Sequence, residues 1–314
     1  MFINAAGFYI PLKRVPNDSF FNLNGLTSEW IYQRTGILTR SKADDGENIN
    51  TMGFAAVRNA LPQLPYDAKE VDLIVGASYS PFDTVATLAH VVQREFNMEN
   101  AKAVYVSSAC SSFLNALEIV EGYFASNKSA KALIVCSEHN TFYGNETDPK
   151  AGHLWGDAAV AWFISKERQT EKDPEITEIY THGLGHIGKG PGGVYLRPKT
   201  EGIQMPDGRD VFINACKYMQ DAINNVIKKQ NYTIDDISYI IAHQANMRIV
   251  NHVAGELKLP GERFLCNIRE LGNTGSASAP LVFAQNYATF KSGDKIVLTV
   301  FGGGYSTGSC LVVF

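Results

Sequence analysis

Residues 67–75 read Asp67-Ala-Lys-Glu-Val-Asp72-Leu73-Ile74-Val75, and residues 235–241 read Asp235-Asp236-Ile237-Ser238-Tyr239-Ile240-Ile241. Each is an acidic turn that opens directly into an apolar, β-branched run. Each also follows a stretch of helical 3.6-residue periodicity, 52–61 in the first case and 211–227 in the second. Further on, Lys131-Ala-Leu-Ile-Val135 is echoed by Lys295-Ile-Val-Leu-Thr299. Both pairs are offset by about 165 residues, which points to an internal duplication. The halves are expected to span 1–170 and 171–314, joined in the charged, turn-rich stretch 166–174.

The same patterning predicts strands over 71–76, 103–106, 132–136, 237–242 and 295–301, with helices at 52–61, 113–125 and 211–227. Strands apolar on both faces and alternating with helices predict an α/β chain with mixed, mostly parallel sheets.

The 314 residues are 45% hydrophobic and 19% charged, with a net charge of −4. Such a chain buries a large core and is neither disordered nor collagen-like. Its mildly acidic balance offers no basic footprint for nucleic acid. No apolar run reaches the length of a membrane span, and residues 1–16 lack a signal-peptide core, so a soluble, cytoplasmic protein is expected. Five cysteines without a Cys-x-x-Cys pair make neither a disulfide framework nor a zinc ribbon, and no metal site is expected. Cys136, Cys216, Cys266 and Cys310 lie in apolar surroundings and are read as small core hydrophobes.

Cys110 differs. In Tyr105-Val-Ser-Ser-Ala-Cys110-Ser-Ser-Phe113 it stands between a β-run and an amphipathic helix. At a helix N-terminus, free N–H groups and the helix dipole favour a thiolate, and the same donors can hold an oxyanion. His243 follows a predicted strand, at the carboxyl end where α/β folds place ligands. Asn273 lies in the turn Gly272-Asn273-Thr274-Gly275-Ser276, where it either supplies turn geometry or donates a hydrogen bond without titrating. Singly, each could equally fill a plain structural role. Together, a Cys, a His and an Asn could also describe a papain-like hydrolase, although repeated α/β halves do not belong there. The run Phe301-Gly302-Gly303-Gly304-Tyr305 lets backbone approach closely but is neither a Walker loop nor a dinucleotide fingerprint. The glycine-rich stretch 183–193 reads as a long surface excursion, a type of loop that is often functional.

Six segments in order resemble the β-ketoacyl-[acyl-carrier-protein] synthase III family of the thiolase superfamily. They are Ser28-Glu29-Trp30-Ile-Tyr-Gln-Arg34-Thr-Gly-Ile37, Ala109-Cys110, Trp155-Gly156-Asp157-Ala158-Ala159, His243-Gln-Ala-Asn246, Gly272-Asn273-Thr274 and Phe301-Gly-Gly-Gly-Tyr305. The resemblance implies a duplicated five-layer αβαβα thiolase-like fold, usually a homodimer. It implies an acyltransferase that condenses an acyl thioester primer with a malonyl-carrier thioester, releasing carbon dioxide, in fatty acid or polyketide-type biosynthesis. No tightly bound cofactor is implied; acyl-coenzyme A or acyl-carrier protein and malonyl-carrier protein are substrates.

By that resemblance Cys110 is the acylated nucleophile, and His243 and Asn273 stabilise the malonyl-derived enolate. The backbone N–H groups of Cys110 and Gly303 form the oxyanion hole. Trp30 and Arg34 match positions at the nucleotide end of coenzyme A, and Phe212 matches one in the pantetheine channel. Arg248 matches the carrier-protein docking face, and Val85 stands where some relatives carry a bulky aromatic at the primer pocket. Ser111-Ser112 and Ala158 depart from the family's usual small residues. An arginine expected shortly before Gly156 is missing, which favours a carrier-bound primer over coenzyme A. Thiolase proper needs a second cysteine where this chain has Val300. The same residues are also compatible with transfer of the acyl group to a different acceptor, as in secondary metabolism, or with a non-catalytic partner subunit that binds a carrier protein.

Overall fold

The computed structural model describes residues 1–314. Nine strands form the main sheet: β1 (Phe2–Tyr9), β2 (Leu73–Ala77), β3 (Lys102–Val106), β4 (Lys131–Glu138), β5 (Ala158–Ser165), β6 (Glu175–Gly183), β7 (Tyr239–Ala242), β8 (Lys295–Gly302) and β9 (Ser306–Val313). Their order is β7-β8-β9-β6-β1-β5-β4-β2-β3. At the centre β6 and β1 share a single pair, Phe2 opposite Glu175.

Either side of that seam the same pattern is written twice. β2 is parallel to β4, β4 antiparallel to β5, and β5 antiparallel to β1. β7, β8, β9 and β6 repeat those senses in that order. Even the edge corresponds: β3 runs parallel beside β2, and Phe264 makes a parallel bridge to Ile240 of β7. The two acidic turns adopt one conformation, short 3-10 turns over Ala68–Glu70 and Ile234–Asp236, each closed by a capping box from Asp67 or Thr233. Those turns delay β2 and β7 by two residues relative to the predicted strand starts.

The sheet is mixed, but it is not mostly parallel. Only the β2–β3, β2–β4 and β7–β8 pairs are parallel. Parallel neighbours need a crossover long enough for a helix. Between β8 and β9 there is only a glycine turn, too short for a crossover, so that pair turns back antiparallel.

Seven helices of eight or more residues cover the sheet: α1 (Ser28–Thr35), α2 (Ile49–Ala60), α3 (Leu88–Glu95), α4 (Ser112–Ala125), α5 (Gly208–Lys229), α6 (Met247–Glu256) and α7 (Ser278–Asn286). Strand side chains alternate between faces, and this sorts them into three cores. Ile74, Leu133 and Phe163 pack against Met52, Ala56 and Val92 of α2 and α3. Leu73, Val75, Ile296 and Leu298, from both halves, meet Leu114, Leu117 and Phe283 of α4 and α7. Val297, Phe301 and Leu311 pack against Val226, Val250 and Val253 of α5 and α6. The result is five layers, αβαβα, with α4 and α7 as the shared middle.

Phe113, the second residue of α4, stands edge-on to Trp162 at 4.7 Å between ring centroids, and Trp162 meets Phe283 of α7 at 4.5 Å. Such aromatic pairs add about 0.5–1.5 kcal/mol each beyond area burial, so the start of α4 is firmly seated. Of the four cysteines read as core residues, Cys136, Cys216 and Cys310 are buried. Cys266 is exposed, because it lies in the open segment between Phe264 and Ile268 rather than on a strand.

Candidate active site

β3 ends at Val106 and α4 begins at Ser112, so Cys110 stands in the turn between them. The preceding Ala109 has φ 49°, a conformation that costs a residue with a side chain and that tends to persist only where neighbours enforce it. Here serines do so. Ser112 Oγ accepts from the Ser108 N–H at 2.8 Å and donates to the Ala109 carbonyl at 2.6 Å. Ser111 Oγ donates to the Ser108 carbonyl at 2.6 Å and meets Ser306 Oγ at 2.5 Å. The Ser111-Ser112 pair thus braces the turn that carries the sulfur.

The β8–β9 turn closes over this point. A Cβ on Gly302 would stand 2.7 Å from the Cys110 nitrogen, so glycine is required there. The N–H groups of Gly303 and of Cys110 itself favour the Cys110 anion, yet burial outweighs them and pushes the thiol up to about 12. The backbone donors act in the expected direction, but burial and then the Glu138 charge outweigh them, so the resting sulfur is a neutral thiol.

His243 directly follows β7, and its N–H donates to the Thr299 carbonyl of β8 at 2.7 Å. Burial pushes its ring down to about 4, against the opposing pull of the Gly275 carbonyl, so the imidazole is neutral; its Nδ1 has no hydrogen-bond partner. Asn273 is fixed by its backbone: its N–H donates to the Leu154 carbonyl at 2.8 Å, and its carbonyl accepts from the Gly156 N–H at 2.9 Å. Its Oδ1 accepts from the Gly275 N–H at 3.0 Å, which leaves the NH₂ end of the carboxamide to donate elsewhere. Gly275 therefore lies beside both side chains. Trp155-Gly156-Asp157 is the frame of this loop. A side chain on Gly156 would strike the Leu271 carbonyl, and buried Asp157 accepts from the Ala43 and Thr141 N–H groups, both at 2.9 Å.

Tyr79 joins the two sides. Its buried hydroxyl favours the Cys110 anion, and any side chain on Gly275 would collide with it. A cavity of about 350 Å³ opens over Cys110, walled by Tyr79, Trp155, Val194, Leu196, Ile203 and Gly303. His243 and Asn273 are not among its lining residues; both adjoin Gly275, which abuts the Tyr79 hydroxyl. A larger cavity, about 550 Å³, lies among Lys42, Glu47, Phe82, His139 and Phe142 and has no cysteine in its lining.

The peripheral candidates lie outside the Cys110 cavity. On α1 the Arg34 guanidinium sits 5.4 Å from the Trp30 ring, which meets His153 edge-on at 5.7 Å. On α5 and α6 the Arg248 guanidinium sits 5.5 Å from the Phe212 ring. The two groups approach each other where Gly36, after α1, abuts Met247 at the start of α6. Val85 is 85% exposed and does not touch the cavity in a single chain. Sequence reasoning missed Tyr79, Val194 and Leu196. The available signals were the glycine-rich excursion, which leads into Val194, and the position of Tyr79 just past the carboxyl end of β2.

Profiles of the 3-oxoacyl-[acyl-carrier-protein] synthase III family match residues 105–183 and, for its C-terminal part, residues 227–314. Over 312 residues the chain is 34% identical to a β-ketoacyl-[acyl-carrier-protein] synthase III of Acholeplasma laidlawii, covering 99% of this chain and 97% of that one. The chain belongs to this family. It is therefore an acyltransferase of the condensing type. The crystal structure of the Aquifex aeolicus 3-oxoacyl-[acyl-carrier-protein] synthase III superposes with a TM-score of 0.92 at 29% identity, covering 100% of this chain and 99% of that one. A priming β-ketosynthase from a polyketide pathway superposes with a TM-score of 0.90 at 27% identity, covering 99% and 95%. The thiolase-like fold expected from sequence is thus shared with solved members of the family.

Proposed function

We propose that Cys110 accepts an acyl group from a primer thioester and that the chain then condenses it with a malonyl-carrier thioester. The thiol sulfur forms a bond to the primer carbonyl carbon; the primer's sulfur leaves and takes up the thiol proton. The malonyl thioester loses carbon dioxide, and the electron pair left behind becomes an enolate held by donors on His243 and Asn273. Its carbon attacks the acyl-Cys110 carbonyl. The resulting oxyanion is held by the N–H groups of Cys110 and Gly303, and its collapse frees the 3-ketoacyl thioester and expels the Cys110 sulfur as a thiolate, which takes a proton from water to restore the thiol.

One observation carries this reading: the N–H groups of Cys110 and Gly303 favour the sulfur's anion, and Tyr79, which does the same, abuts Gly275, the residue beside the neutral imidazole and the carboxamide. Neutral donors stabilise an enolate without quenching it by proton transfer, and each oxyanion donor is worth about 2.7–4 kcal/mol of barrier.

The primer arrives as an acyl-coenzyme A or acyl-carrier thioester, with Trp30, Arg34 and Phe212 along its approach and Arg248 on the face that meets an acidic carrier. The two halves, 1–170 and 171–314, are a fused duplication. A homodimer is part of the proposal: β3 is an edge strand, and exposed Phe82, Val85 and Phe142 offer apolar surface in its half of the molecule. Val85 bears on primer length only across such an interface. No helix is long and apolar enough to cross a membrane, and the proposed setting is the cytoplasm.

The test is intact-mass measurement after incubation with acyl thioesters. A hydroxylamine-labile acyl adduct that vanishes in Cys110→Ser, with carbon dioxide released on adding malonyl-carrier protein, supports the proposal. Absence of the adduct refutes it, and an adduct without malonyl-dependent carbon dioxide redirects it to another acceptor.

A further inference from the structure

Glu138, the last residue of β4, is completely buried, and its charge opposes ionisation of the Cys110 thiol. Its carboxylate gathers donors from two distant segments. Oε2 accepts from Ser78 Oγ at 3.0 Å, from the Ser80 N–H at 3.2 Å and from Ser80 Oγ. Oε1 accepts from the Tyr79 N–H at 3.3 Å and from Ser276 Oγ. The first group is the turn that presents Tyr79 to Cys110. The second is the loop of Asn273 and Gly275, from the other half of the chain.

None of the ion pairs in the protein includes Glu138. A buried carboxylate without a cation is costly unless hydrogen bonds meet it, and a well-packed apolar residue would stabilise the fold better. Five donors aimed at one side chain match an acceptor-only anion, since the two backbone N–H groups can do nothing but donate.

We infer that Glu138 is a positioning residue for condensation: its carboxylate clamps the Tyr79 turn to the Asn273 loop and so sets the enolate-binding side chains against the Cys110 sulfur. This rests on the condensing mechanism proposed above. The clamp is strongest when Glu138 is ionised. Burial raises it to about 7 while the hydroxyl and N–H donors pull it down, so it changes charge in the working range. The groups facing it do not: Tyr79, Tyr105, Cys136 and Cys110 are all pushed upward by burial, and none ionises near neutrality.

The experiment separates the two half-reactions in the full-length protein. Self-acylation is followed by intact mass, and condensation by carbon dioxide release from malonyl-carrier protein, each between pH 6 and 8 (about one unit either side of the Glu138 midpoint). The wild-type condensation rate is expected to rise through pH 7 as the clamp ionises. Glu138→Gln should acylate at least as fast as the wild type, because losing the neighbouring charge eases ionisation of the Cys110 thiol, yet condense about tenfold or more slowly and lose that rising limb. Glu138→Asp should restore part of the rate together with the limb.

Should Glu138→Gln not fold, Ser276→Ala cuts the link to the Asn273 loop while leaving the Ser78, Tyr79 and Ser80 donors, at the further loss of one contact to Cys136 Sγ. It is expected to slow condensation about threefold or more with acylation intact. Condensation at the wild-type rate in the variant that folds, or a wild-type pH limb in Glu138→Gln, overturns the inference. A wild-type protein that takes up no acyl group overturns instead the mechanism on which it rests.

Discussion

Ser111 Oγ lies 2.5 Å from Ser306 Oγ, across 195 residues of chain, and ties the turn that carries Cys110 to the hairpin that carries Gly303. The sulfur and Gly303, the proposed second oxyanion donor, come from opposite sides of the β1–β6 seam, so this contact holds them in register. Ser306→Ala removes one hydrogen bond, worth about 1 kcal/mol. We expect acylation to slow about threefold to tenfold, with only a small drop in melting temperature, as read by stopped-flow acylation alongside calorimetry. A large loss of stability with unchanged acylation would count against the register role.

His243→Ala and Asn273→Ala are expected to keep the acyl adduct on Cys110 and to lose condensation by about a hundredfold or more, since each removes a donor from the enolate. Paired mass-spectrometric and carbon dioxide assays check this. Loss of the adduct in both folded variants would show that these side chains serve the first step instead.

Alkylation distinguishes the cysteines. With its thiol pushed up to about 12, Cys110 should react slowly with iodoacetamide at neutral pH, and its rate should climb roughly tenfold per pH unit in the alkaline range. Exposed Cys266 should be labelled first. Peptide mapping against pH gives the answer, and rapid neutral labelling of Cys110 would mean that its donors outweigh its burial.

Arg248→Glu should raise KM for carrier-bound substrate, most strongly at low salt, and leave reaction with small pantetheine thioesters unchanged, because acidic carriers dock electrostatically. Titrations at two ionic strengths test it; equal kcat/KM for carrier substrate in both proteins would remove Arg248 from the docking face.

The nucleophile was legible because its signal is local: a β-run, small residues and an amphipathic helix follow one another within 105–125. Glu138 carried no such signal. Glu138 looks like an ordinary polar residue at a strand end until Ser276, 138 positions away, is folded against it. The fate of Val85 was equally hidden, since exposure depends on what the remaining chain leaves uncovered.

The order of residues alone determined the alternation of strand and helix, the duplication and the placement of Cys110, His243 and Asn273 at loop ends, because periodicity and turn chemistry act over a few residues. Tertiary structure decided the rest: the mainly antiparallel pairing of the sheet, the neutral thiol, the cavity wall built by Tyr79, Trp155 and Leu196, and the Glu138 clamp. Strand sense depends on the length of each connection, and ionisation depends on how much water the packed layers exclude. Both arise only when distant segments come together.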